Sequence, residues 1–222
     1  MQVGNRKTML MNWPERLFIY SPLRILMQHR QAGRWLGIAG SVRPPARTLE
    51  IGCGLGKGAR ICVDRLGARR VIAFDLEEKL VLRAARKLPA AYSGRISFLA
   101  SDAQDLPFRD SDFDAVIDYG IIHHVLDWRR CMSEISRVLR SDGLFYFEEI
   151  YPLVYANPLM RRLVRHPEAD RFDGPRFLAA LAASGLSLLE GVRIGSPFGI
   201  VGVARKMERR AAGDPETPSD RN

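Results

Sequence analysis

The sequence predicts an α/β fold, a mostly parallel sheet with helices on both faces. Short apolar runs bounded by turn residues alternate five times with helix-spaced segments between Arg47 and Ile150. A glycine-rich turn, Gly52-Cys53-Gly54-Leu55-Gly56, follows the first run and opens onto a helical segment. An acid, Asp75, ends the second run, 19 positions after Gly56. In such folds function sits at the carboxyl ends of the strands.

Taken in order, residues 1–47 precede the glycine turn. Asn12-Trp13-Pro14-Glu15 is a helix start, with a capping Asn, an early Pro and Glu three after the cap. Ser21-Pro22 is a second start, ahead of Leu23, Ile25, Leu26 and Met27. This segment holds eight Arg/Lys against one acid, Glu15. A basic amphipathic stretch either packs on its domain and covers the active site, or lies on a membrane. Trp13, Phe18, Leu26, Met27, Trp35 and Tyr155 would give an active-site roof an apolar character. Strands are expected at 47–51, 70–75, 95–100, 112–118 and 144–150, and helices at 57–66, 76–88 and 128–139. Ser141-Asp142-Gly143 is a turn. Beyond Tyr151 the pattern loosens into a helix at 157–165, a polar loop at 166–175 and a helix at 177–183 stopped at Gly185. An antiparallel pair of strands at 186–194 and 198–204 closes the sheet. The expected organisation is an N-terminal helical cap at 1–45, a cofactor-binding domain at 46–206 with a cap insertion at 151–176, and a disordered tail at 207–222.

The 222 residues, 46% of them hydrophobic, fit one domain with modest extensions. No apolar run approaches the ~20 residues of a membrane span, and the start shows no signal-peptide pattern. Cys53, Cys62 and Cys131 have neither disulfide nor zinc spacing. No Asp/Glu/His spacing marks a metal site, and a reducing, cytoplasmic compartment is expected. The net charge of +9 fits an anionic partner, or simply an arginine-rich composition without a compact basic run.

The glycine turn restricts the cofactor. A dinucleotide fingerprint would need glycine at Lys57, and a phosphate loop would need glycine at Ile51 and Ser or Thr at Gly58. What remains is Glu50-x-Gly52-x-Gly54-x-Gly56, which resembles the first motif of class I S-adenosylmethionine-dependent methyltransferases. A carboxylate beside the turn suits a ligand bearing sulfonium and ammonium groups and would repel a pyrophosphate. Asp75 can accept from both ribose hydroxyls, or cap the helix after it. The stretch Asp102-Ala103-x-x-Leu106-Pro107-Phe108-x-x-x-x-Phe113-Asp114 resembles the ubiquinone/menaquinone methyltransferase-like group, methyltransferase type 11. So do Asp118-Tyr119-Gly120-Ile121-Ile122-His123-His124-Val125 and Leu139-Arg140-Ser141-Asp142-Gly143-Leu144, although Asp142 replaces the group's frequent proline or glycine.

The resemblance implies a Rossmann-like, seven-stranded, mostly parallel sheet with one antiparallel strand near the C-terminus, and S-adenosyl-L-methionine as cofactor. It implies that Glu50, Gly52, Cys53 and Gly54 line the methionine part, that Asp75 holds the ribose and that Leu76 packs on adenine. Asp102 and Ala103 would read the adenine edge, and the Tyr119 carbonyl would take the ammonium. His123, His124 and Glu149 are candidate catalytic residues, each with a structural reading beside it. The expected reaction is methyl transfer to a small-molecule or lipid-like acceptor by in-line displacement. Nucleic acid is a less favoured partner, because Asp118-Tyr119-Gly120-Ile121 lacks the prolines of exocyclic-amine methyltransferases. A short-chain dehydrogenase is disfavoured, since no Tyr has Lys four positions on. A non-catalytic cofactor-binding module, or one docked peripherally on a membrane through the basic N-terminal segment, is the remaining alternative.

Overall fold

A computed structural model describes residues 16–17, 19–156, 170–191 and 196–208. Its first long element is helix α1 (Pro22–Ala39). Ser21 starts it by accepting the Arg24 N–H at 3.2 Å, and Pro22 fits the first turn, where no amide donor is needed. Strand and helix then alternate through β1 (Arg47–Ile51), α2 (Lys57–Asp64), β2 (Arg70–Asp75), α3 (Glu78–Arg86), β3 (Ile96–Ala100) and β4 (Phe113–Tyr119). There follow α4 (Trp128–Val138), β5 (Leu139–Ile150), the short α5 (Pro152–Tyr155), α6 (Gly174–Ala183), β6 (Leu186–Leu188) and β7 (Gly199–Lys206).

The strands form one seven-stranded sheet in the order β3-β2-β1-β4-β5-β7-β6. β1 to β5 pair in parallel, and β7 runs antiparallel to both β5 and β6. Each face carries a core, as a sheet covered on both sides requires. Trp128, Ile135, Phe145, Phe147 and Phe177 pack on one face. Trp35, Ala59, Cys62, Ile117, Tyr119 and Tyr146 pack on the other.

The expected strands 47–51 and 70–75 coincide with β1 and β2. The expected helix 76–88 begins later, because Glu77 is extended at its cap and the Leu76 side chain is left at the site. The turn Ser141-Asp142-Gly143 is absorbed into β5 as an irregularity. Asp142 takes φ +61°, and the partners of Phe113 and Ala115 jump from Leu139 to Leu144. Of the expected strand 186–194, residues 192–194 lie outside the described residues, and 186–191 form a strand at Leu186–Leu188 alone. The helix start at Asn12, the helix at 157–165 and residues 209–222 of the expected tail lie outside the described residues. Among the described residues no helix is long and apolar enough to cross a membrane.

Candidate active site

A cavity opens at the carboxyl ends of β1, β2, β3 and β4, beside the point where strand order reverses between β1 and β4. Its floor is the loop between β1 and α2. Gly52, Gly54 and Gly56 all have positive φ, at +68°, +52° and +74°, a region that L side chains rarely enter. Their surroundings differ. A Cβ on Gly52 would fall 2.4 Å from Ile121, and one on Gly56 would fall 2.6 Å from Phe98. At these two glycines neighbouring side chains already leave no room for a Cβ. Gly54 lies at the cavity wall, where a Cβ would come within 3.3 Å of the Tyr20 ring.

Glu50 is 2% exposed and sits beneath the loop. Its Oε1 would lie 1.9 Å from a Cβ on Gly58, so only glycine fits at that point of α2. Its Oε2 has no hydrogen-bond partner among the described residues. Burial, with the charge of Asp75 adding to it, pushes this carboxyl well above the usual range. Asp75 binds the loop to the end of β2: Oδ2 accepts the Gly54 N–H at 2.8 Å and Oδ1 accepts the Glu77 N–H at 3.0 Å. Each oxygen keeps a further lone pair, and the residue lines the cavity. Burial raises its pKa against the lowering effect of the backbone amides around it.

Leu76, Asp102 and Ala103 continue the wall. Asp102 Oδ1 accepts the Gln104 N–H at 2.9 Å, which orients the side chain after β3. Tyr119 ends β4, and Gly52, Cys53 and Gly54 lie across from it on the same cavity. The residues expected to hold a cofactor therefore share one cavity, apart from Glu50, which shapes the loop from below.

The three candidate catalytic residues do not share one position. His124 lines the cavity. His123 and Glu149 lie behind it, 7% and 1% exposed. His123 Nδ1 and Glu149 Oε2 share a hydrogen bond at 2.5 Å, and Glu149 Oε1 accepts the Ile122 N–H at 2.6 Å. Burial pulls His123 down to about 3 and pushes Glu149 up to about 8, which favours the uncharged form of each. Burial, then the neighbouring His123, lowers His124 as well. Asp118, fully buried beside Glu149, is raised by burial and by that neighbour's charge.

The roof differs from the expected one. Trp35 is buried in the core, with its indole N–H donating to the Phe147 carbonyl at 3.1 Å. Tyr155 stacks on His123, and Leu26 and Met27 point outward at 49% and 41% exposure. Trp13 and Phe18 lie outside the described residues. Ile19, Tyr20, Arg24 and Gln28 line the cavity instead. The reason is helical phase. The inward stripe of α1 is Arg24, Gln28, Gln31 and Trp35, so the apolar trio Leu23, Leu26 and Met27 faces away. The signal for these missed residues was Trp35 itself, since stepping back from it by fours and threes reaches Gln31, Gln28 and Arg24.

The fit to S-adenosylmethionine can be judged on this cavity. Among the described residues the buried Tyr20 hydroxyl has no hydrogen-bond partner, Asp75 presents further lone pairs, and carboxyls rather than phosphate-binding cations dominate the loop. These features suit an adenosine bearing a cationic amino-acid tail.

The family described as a methyltransferase domain matches residues 49–147. A probable S-adenosylmethionine-dependent methyltransferase of Mycolicibacterium smegmatis is 34% identical over 119 residues, 54% of this chain and 39% of that protein. A fatty-acid O-methyltransferase of the same organism is 30% identical over 143 residues, 64% of this chain and 44% of that protein. The chain thus spans less than half the length of these two relatives. An S-adenosylmethionine-dependent methyltransferase from Mesorhizobium loti superposes with a TM-score of 0.62 at 21% identity, over 80% of this chain and 99% of that one, a likeness of fold. Residues 49–147 thus match a methyltransferase domain of the type 11 group and are similar to part of S-adenosylmethionine-dependent methyltransferases.

Proposed function

We propose that the protein transfers a methyl group from S-adenosyl-L-methionine to a small-molecule or lipid-like acceptor by in-line displacement. The observation that carries this reading is Asp75, fixed by the Gly54 and Glu77 amides at the cavity wall with lone pairs left for a ribose. Gly52, Cys53 and Gly54 face the methionine part, Leu76 packs on adenine, and Asp102 with Ala103 reads its edge. Glu50 acts from below, by holding the loop against Gly58.

The bound cofactor supplies an activated methyl on a sulfonium. The remaining task of the chain is to align the acceptor atom with that methyl and to exclude water, which can supply roughly 7–11 kcal/mol of the barrier. With the cofactor held by the glycine turn, Asp75 and Asp102, its methyl would pass from sulfur to the acceptor atom, and the acceptor's proton would go to a base or to water. His124, neutral and at the cavity, is positioned to take it. His123 and Glu149 act as positioning residues, since their mutual bond fixes the turn that carries His124.

A lipid-like acceptor is supported by the fatty-acid O-methyltransferase relative and by the exposed apolar and basic face of α1, which suits peripheral membrane contact. The test is calorimetric titration of wild type and Asp75→Ala with S-adenosylhomocysteine, with NADH as control. Wild type is expected to bind the homocysteine product alone, and the variant to lose at least tenfold in affinity. Clean, folded wild type that binds neither ligand would overturn the reading. Transfer of labelled methyl into a lipid extract, against an RNA extract, then identifies the acceptor class.

A further inference from the structure

Arg24 is the only lysine or arginine less than a tenth exposed among the described residues, which also bury the four carboxyls Glu50, Asp75, Asp118 and Glu149. It projects from α1 into the cavity. Its Nη2 donates to the Tyr119 carbonyl at 2.6 Å, and its Nη1 pairs with Glu148 Oε1 at 2.5 Å. The Tyr119 carbonyl is the acceptor that the family resemblance implies for the cofactor's ammonium. A guanidinium therefore occupies the place where that ammonium would bind.

We propose that Arg24 is the carboxylate-binding residue of the cofactor site, so that it selects ligands that carry the complete amino-acid tail. The proposal rests on the cofactor reading above. The ammonium and carboxylate of an amino acid share one carbon, so an acceptor for the first must lie within a few ångströms of a donor for the second. Arg24 meets that condition at Tyr119. The other cation on the cavity, Lys57, is exposed at the start of α2. Without Arg24, a carboxylate entering here would meet Glu50, Asp75 and Glu148 with no buried positive charge, a costly arrangement in low dielectric. On binding, the ammonium takes the Tyr119 carbonyl. The guanidinium keeps Glu148 through Nη1 and turns its released N–H groups to the carboxylate, a charge-assisted and directional pairing.

The experiment titrates the full chain, as wild type, Arg24→Ala and Arg24→Lys, with S-adenosylhomocysteine and with 5′-methylthioadenosine, which lacks the amino-acid tail. Arg24→Ala is expected to weaken the homocysteine ligand at least tenfold and to leave methylthioadenosine within twofold. Arg24→Lys should recover part of the loss. Unchanged or tighter homocysteine binding in Arg24→Ala would overturn the proposal, since the guanidinium would then only compete with the ammonium. Equal loss of both ligands would also overturn it, as the mark of a purely structural residue. Wild type that binds both ligands equally sinks this proposal alone, whereas wild type that binds neither sinks the cofactor reading with it.

Discussion

Gly58 and Glu50 are eight positions apart and stand in one contact, because the carboxyl of Glu50 fills the space a Cβ on Gly58 would need. The acid before the glycine turn and the glycine after it are therefore two halves of one packing arrangement. Gly58→Ala forces atoms into the buried Glu50 and Tyr119 side chains and is expected to cost about 1–3 kcal/mol, read as a lower midpoint in thermal unfolding. The cost should shrink in a Glu50→Ala background, because the closest clash is then gone. An equal cost in both backgrounds would show that Glu50 is not the obstacle. At this scale the candidate site was partly legible in the sequence. Asp75, Asp102 and Tyr119 could be found because each lies at or just past the end of a strand, where a side chain or carbonyl can face the ligand crevice. The difference between His124 at the cavity and His123 behind it was not legible, since adjacent letters say nothing of which ring turns inward. Arg24 was hidden for a different reason, as an arginine in a basic helix reads as a solvated side chain.

At the scale of elements, the strands were legible and the first helix was legible in place but not in facing. Arg47–Ile51 and Arg70–Asp75 carry apolar runs cut off by turn chemistry, which leaves little freedom in their bounds. Pro22–Ala39 has the right start in Ser21-Pro22, yet its buried stripe mixes Arg24, Gln31, Ala32 and Trp35. Polar residues satisfied inside the fold make the inner stripe look like an outer one. The outward stripe is the unusual one: Leu23, Leu26 and Met27 are 58%, 49% and 41% exposed, with Arg30 and Arg34 further along the same face and no acid anywhere in the helix. Apolar side chains rimmed by cations suit an anionic lipid surface. Wild type is expected to sediment with vesicles containing anionic phosphatidylglycerol and to be released by high salt. Leu26→Asp with Met27→Asp should lose that binding while the unfolding midpoint stays put, since neither side chain is in the core. Equal sedimentation of wild type and double variant would remove this helix from any membrane role.

At the scale of the whole molecule, the buried carboxyls and imidazoles set how stability responds to pH, and they act in opposite directions. His123 is held near 3, below its ordinary 6.5, so between those values the unfolded chain holds a proton the folded one lacks. Raising the pH through that window strengthens the fold. Glu149 is held near 8, above its ordinary 4.5, so the folded chain keeps a proton the unfolded one has lost. That contribution is complete below about 4.5 and is lost as the pH rises through 8. Asp118 and Glu50, also raised by burial, act with the same sign. The two effects oppose each other below 6.5, and above it the histidine contribution is exhausted. Stability is therefore expected to fall from pH 6.5 to 8, by at most about 1.4 kcal/mol per pH unit for each proton held. Gln at position 149 has no proton to lose, so Glu149→Gln should flatten the decline while it still accepts the Ile122 N–H. Unfolding midpoints measured across pH 5 to 9 for both proteins test this. A wild-type midpoint that stays level or rises between pH 6.5 and 8 would mean that Glu149 is ionised in the folded state. His123 would then be its charged partner, and the turn carrying His124 would be held by an ion pair instead of a neutral hydrogen bond.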